Sequence, residues 1–151
     1  MTLIIDLTPD FMFKDERGSL TQLTRRGFSQ VNFITSVRGA VRGGHYHRFN
    51  AEAFYVVAGA CRVSAVLGGE REDRIFRAGD YFLIPPLVRH SFLYLDDTQL
   101  ISMYSLGAEL SLQTEQPLMD IFADPSDAAA DSDAASQEPL IPDIPVVNLK
   151  L

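Results

Sequence analysis

The sequence predicts an all-β sandwich or barrel, and three observations carry the prediction. Short runs rich in β-branched and aromatic residues recur through the first 106 positions. Glycine, proline and aspartate turn signals separate them at nearly even spacing. No stretch before residue 107 repeats with a helical period. Regular short strands with turns between them build sandwiches and barrels. A chain of 151 residues is long enough for one domain with a real core.

The elements follow in order. Leu3-Ile4-Ile5 and Phe11-Met12-Phe13 read as apolar N-terminal strand segments. Further strands are expected over 19–23, 30–35, 53–57, 62–67, 73–76, 81–84, 90–95 and 99–104. The turns are Arg17-Gly18, Arg38-Gly39, Arg42-Gly43-Gly44, Gly68-Gly69, Ala78-Gly79-Asp80, Pro85-Pro86 and Asp96-Asp97. A short helix is expected around 117–122, with Pro117 in its first turn. Residues 124–139 are mostly Ala, Asp and Ser and bury too little apolar surface to order themselves, so they read as a flexible acidic linker. Residues 140–151 are apolar again and suit a strand added to an exposed sheet edge, or a frayed end. The expected domain therefore spans 1–123.

Charge is uneven along the chain. Residues 1–89 carry 12 basic and 9 acidic side chains, a balance of +3. Residues 90–151 carry 1 basic and 11 acidic, a balance of −10. The acidic remainder argues against nucleic acid, and the basic portion suits an anionic small molecule. No apolar run reaches the length of a membrane span. The N-terminus lacks a basic region and a cleavage site, and the single Cys61 excludes an internal disulfide. A cytoplasmic protein is expected, with Cys61 a buried structural thiol.

His45, His47 and His90 are the only histidines. On a strand, residues i and i+2 share a face, so His45-x-His47 aims two imidazoles into one cavity. Glu52 lies five residues on, a gap that suits a bend returning its carboxylate to the same place. This mixed nitrogen and oxygen set fits one divalent ion such as zinc, iron, manganese or nickel, and fits calcium or magnesium poorly.

The stretches Gly39-x5-His45-x-His47-x4-Glu52-x6-Gly59 and Gly79-x5-Pro85-x4-His90 resemble the two motifs of the cupin superfamily. That resemblance implies a double-stranded β-helix, a jelly-roll barrel, holding a metal between His45, His47, Glu52 and His90. The second motif departs from the pattern. Leu87 stands where a glycine is usual two residues after the proline, and Tyr94 where an asparagine is usual. The rigid Pro85-Pro86 corner is expected to replace the glycine.

Asp15-Glu16-Arg17-Gly18-Ser19-Leu20 is similar to the entry of dTDP-4-dehydrorhamnose 3,5-epimerases and sugar 3,4-ketoisomerases. Arg42-Gly43-Gly44-His45-Tyr46-His47, then Glu52 and Val56-Val57-Ala58-Gly59, resemble more closely the C-terminal metal-binding cupin domain of CapF-type capsular-polysaccharide enzymes. This likeness implies epimerisation or isomerisation of a nucleotide-linked keto-sugar in surface-polysaccharide synthesis, with zinc favoured. It also implies a homodimer, because cupins with such an entry strand often exchange it between subunits.

Epimerisation beside a ketone removes a proton from the α carbon, and a divalent ion stabilises the enediolate. Tyr55 and Tyr104, on strands, are the candidate catalytic residues, with Glu52 if it leaves the metal. Arg17, Arg42 and Arg48 are candidates to clamp a diphosphate, since guanidinium matches phosphate oxygens bidentately. The same donor set would serve an iron-dependent cupin dioxygenase, or a non-enzymatic small-molecule-binding cupin that uses metal to hold its pocket.

Overall fold

A computed structural model describes residues 2–25 and 27–106, and among them every regular element is a strand. They are β1 (Ile5–Asp6), β2 (Phe11–Asp15), β3 (Gly18–Gln22), β4 (Gln30–Ser36), β5 (Val41–His45), β6 (Glu52–Ala58), β7 (Ala60–Leu67), β8 (Glu70–Arg77), β9 (Tyr81–Ile84), β10 (Arg89–Tyr94) and β11 (Thr98–Tyr104). Every expected run lies on a strand, to within a residue or three at its ends. The exception is the His-x-His pair. β5 stops at His45, and His47 stands in the loop that follows. The helix expected at 117–122, the linker at 124–139 and the segment at 140–151 lie outside the described residues.

Two antiparallel sheets face each other. One runs β1-β9-β6-β11-β4 and the other β5-β10-β7-β8. β2 and β3 form a separate hairpin. Alternation turns Phe54 and Val56 of β6, Val63 and Ala65 of β7, and Phe92 and Tyr94 of β10 into one core. Phe54, Phe76, Phe82 and Phe92 stack through its middle, with ring centroids 3.8 Å apart for Phe76–Phe82 and 4.8 Å for Phe54–Phe92. Cys61 joins this core, and burial pushes its thiol up to about 12, so it is an inert packing group as expected.

The edges of the two sheets are fastened on both sides. On one, the Glu72 carboxylate of β8 accepts from the backbone N–H groups of Leu3, at 2.7 Å, and Ile4, at 3.1 Å. Arg74, also of β8, pairs with Asp6 of β1. On the other, Arg42 of β5 donates to the Thr35 carbonyl of β4 at 3.3 Å.

β4 breaks the usual pattern. Its Val31 and Phe33 are 64% and 63% exposed, while Gln30, Asn32 and Ser36 alternate with them toward the interior. In the first half of the strand, polar residues inside and apolar ones outside invert the rule for a one-sided strand, while Ile34 packs inward on the core. The outer apolar row continues across the sheet, because Val31 pairs with Met103 and Phe33 with Ile101, and these with Ala53 and Tyr55 of β6.

The β9–β10 corner differs from expectation. Pro85-Pro86 does not replace the glycine. Leu87 adopts the left-handed conformation itself, with φ of +71°.

Candidate functional site

Antiparallel order brings the end of β5, the start of β6, the start of β10 and the end of β11 to one mouth of the barrel. His45 pairs opposite His90, and Tyr104 opposite Glu52. The register of β10 on β5 shifts between His90 and Ser91, and Gly43 permits it. With φ of +99°, a Cβ on Gly43 would lie 2.7 Å from the His90 carbonyl oxygen. The two strands therefore approach more closely there than a side chain allows.

His45, His47, Glu52 and His90 converge, with ligand atoms all within 4.8 Å of one another. Nε2 of His47 and Nε2 of His90 each lie 3.2 Å from the same Glu52 oxygen. Below them Phe54 and Phe92, each two residues beyond a member of the cluster on its strand, close the cavity; each ring is 6.2 Å from His90. Tyr104 completes the group. Its ring lies 5.0 Å from that of His47, and its hydroxyl hydrogen-bonds Glu52.

The donor set fits a divalent ion. Nδ1 of His90 lies 3.0 Å from the Val88 carbonyl, which can only accept, so Nδ1 carries the proton. In the neutral ring Nε2 is then a bare lone pair, and it faces a carboxylate oxygen, another acceptor. Burial, with repulsion from His90 and His47, lowers His45 to about 3, so it too presents a lone pair. Burial raises the Glu52 carboxyl, but when His47 and His90 are protonated at Nε2 their hydrogen bonds and charge outweigh it and bring the value to about 2. With the three imidazoles neutral, four acceptors point at one volume. Ligands 2.0–2.2 Å from a tetrahedral ion stand about 3.4 Å apart; His47 and His90 lie 3.2 Å from Glu52, and no pair in the cluster is wider than 4.8 Å.

These shifts predict how the metal-free protein responds to acid. Between pH 6.5 and about 3 the folded His45 holds fewer protons than the unfolded one. Stability therefore falls as pH falls through that window. Glu52 acts in the same direction between pH 4.5 and about 2, because its folded carboxyl stays ionised while the unfolded one takes a proton. Each group is expected to contribute up to about 1.4 kcal/mol of loss per pH unit inside its window. Urea midpoints of chelated protein should decline from pH 6.5 to 4. A flat profile over that range would rule out this arrangement of charges.

Of the other residues expected at the site, the structure brings Tyr104 to the cluster and not Tyr55. Glu52 and Phe54 face inward, so Tyr55 faces the opposite side of β6 and packs on Tyr81, with centroids 6.2 Å apart. Arg17 sits at the tip of the β2–β3 hairpin, its side chain 81% exposed and paired with Asp15. Arg42 lies on β5 opposite Phe92, three residues before His45, at the barrel edge. Arg48 is exposed beside His47 and makes no hydrogen bond or ion pair with the described residues.

Three residues at the site escape a motif search. Gln30 donates to Asn32, and Asn32 donates to Ser102 at 3.2 Å. Ser102 is fully buried, and Gln30 pairs opposite Tyr104, so these side chains form a polar rail that reaches the cluster. The signal was the alternation Gln30-Val31-Asn32-Phe33. It reads as an ordinary strand until the register shows which face is inside.

Comparison with known proteins agrees with this architecture. The family described as Polysaccharide biosynthesis C-terminal domain matches residues 13–105. Over 52 residues, 34% of the chain, the sequence is 38% identical to UDP-2-acetamido-2,6-beta-L-arabino-hexul-4-ose reductase of Pseudomonas aeruginosa. That stretch spans 14% of the reductase's length. The sugar 3,4-ketoisomerase QdtA of Thermoanaerobacterium thermosaccharolyticum, solved with TDP, shares the fold with a TM-score of 0.65 at 15% identity, covering 89% of this chain and 96% of that one. The dTDP-4-dehydrorhamnose 3,5-epimerase of Sulfolobus tokodaii gives a TM-score of 0.56 at 24% identity, over 62% of this chain and 65% of that one. The fold is the cupin jelly roll that the two sequence motifs implied.

Proposed function

Because the chain belongs to the polysaccharide biosynthesis C-terminal domain family, we propose that it is a metal-holding cupin that epimerises or isomerises a nucleotide-linked keto-sugar. One observation carries the reading. Three imidazoles and a carboxylate, with ligand atoms within 4.8 Å of one another, abut a phenol and a polar rail inside the same barrel. His45, His47, Glu52 and His90 would hold one divalent ion, zinc first among the candidates. When bound, the ion supplies Lewis-acid stabilisation of an enediolate.

The chain's own groups take the remaining roles. Burial and the neighbouring Glu52 charge push the Tyr104 phenol up, so it keeps its proton at neutral pH. On this reading it gives a proton rather than taking one, as the acid beside the developing oxyanion. Glu52, at about 2, is a weak base and serves to hold rather than to abstract. Gln30, Asn32 and Ser102 offer hydroxyl and amide partners to a sugar. Arg42 and Arg48 would meet the diphosphate.

Solvent exchange tests this reading. Incubated in D2O with zinc-loaded protein, a UDP- or dTDP-linked 4-keto-hexose should take up deuterium at the carbon beside its ketone, seen by NMR. Tyr104→Phe should slow product formation about 10²–10⁴-fold. No exchange with either nucleotide sugar would overturn the proposal. Oxygen uptake by iron-loaded protein would instead favour a dioxygenase, and metal binding without turnover a sensing cupin.

Exposed Val31 and Phe33 on β4, with half-exposed Phe11, Phe13 and Leu20 on the hairpin, support pairing with a second copy. Sedimentation at micromolar concentration is expected to show a dimer, and Phe33→Asp to shift it toward monomer. A wild-type monomer would contradict this.

A further inference from the structure

The turn between β9 and β10 reaches the cluster through two adjacent residues. The Leu87 N–H donates to the His47 carbonyl at 2.7 Å. The Val88 carbonyl takes the Nδ1 proton of His90 at 3.0 Å. One turn thus ties together two members of the cluster that lie 43 positions apart in sequence. Between the two tethers, Leu87 is the single non-glycine residue with positive φ among the described residues. That conformation disfavours a leucine by roughly ten-fold. Strain of this kind persists only where the surroundings fix it. Here both tethers do so. Returning Leu87 to negative φ would turn its N–H off the His47 carbonyl and carry the Val88 carbonyl away from His90.

We propose that Leu87 is a positioning residue that acts through its backbone. Its left-handed conformation sets the Nδ1–H tautomer of His90 and the separation of the His47 and His90 Nε2 atoms. The part concerning metal affinity rests on the proposed function; the tautomer does not.

A set of Leu87 substitutions separates backbone from side chain. Tolerance of the left-handed region falls in the order Gly, Asn, Ala, Val. Zinc affinity, measured by competition with a chromophoric chelator, should follow that order, with Leu87→Gly near wild type and Leu87→Val about 10–100-fold weaker. A role for the leucine side chain predicts the reverse, with valine best and glycine worst. The two orders are opposed, so any two variants that fold decide between them. Nitrogen-15 shifts of the His90 ring in metal-free protein give the second readout. The Nδ1–H tautomer should be kept in Leu87→Gly and eroded in Leu87→Val, or in Leu87→Ala where the valine variant does not fold. Wild type without zinc affinity would sink the metal reading alone, and the tautomer would still decide the role of Leu87. Loss of the tautomer in Leu87→Gly, or affinity that tracks side-chain size, would overturn the proposal.

Discussion

Replacing His90 with alanine is expected to strip the protein of its metal and much of its thermal resistance. Three remaining donors hold a divalent ion far less tightly than four. His90 is also the most constrained member of the cluster, buried, tethered to Val88 and 3.2 Å from Glu52. An ion that binds only the folded state stabilises it by about 2.7 kcal/mol at a concentration a hundred times its Kd. For a domain near 100 residues that corresponds to a fall in Tm on the order of 10 °C on chelation. His90→Ala should already sit near the chelated value and respond little to added zinc. Full metal occupancy in this variant would remove the cluster from the account.

Glu72→Ala is expected to produce the largest loss of stability away from the site. Leu3 and Ile4 are buried, and their N–H groups end on one carboxylate of β8. Alanine leaves both donors without that partner, at about 1–3 kcal/mol each. The loss should reach about 2–6 kcal/mol in urea unfolding, with Glu72→Gln recovering part of it because its amide oxygen still accepts. A loss below about 1 kcal/mol would mean that this clasp does not close the barrel edge.

The two parts of the molecule were unequally legible in sequence. Strand positions were readable because glycine and proline punctuation marks nearly every turn. The cluster was readable because its spacing is stiff, with Glu52 and His90 at fixed offsets from glycines. His47 was placed on a strand because His-x-His fits alternation, yet β5 ends at His45 and a backbone bond from Leu87 holds the loop beyond it. Tyr55 and Tyr104 looked equivalent, since a strand tyrosine does not announce its face. Register decides it, with Tyr104 opposite Glu52 and Tyr55 on the reverse side. Gln30 and Asn32 were hidden for the same reason. The pairing of Arg17 with Asp15, two residues away at the hairpin tip, was not legible either. Leu87 was the least readable, since only the observed backbone shows that a leucine stands in a glycine's conformation.

The central claim is that the three imidazoles and Glu52 hold one ion. Anomalous scattering at the metal absorption edge, on crystals of the full chain, measures this most directly. The account predicts one peak per chain, about 2.0–2.2 Å from nitrogens of His45, His47 and His90 and from the Glu52 carboxylate. Zinc-soaked crystals with no peak among these four residues, together with full sugar turnover by chelated protein, would contradict it.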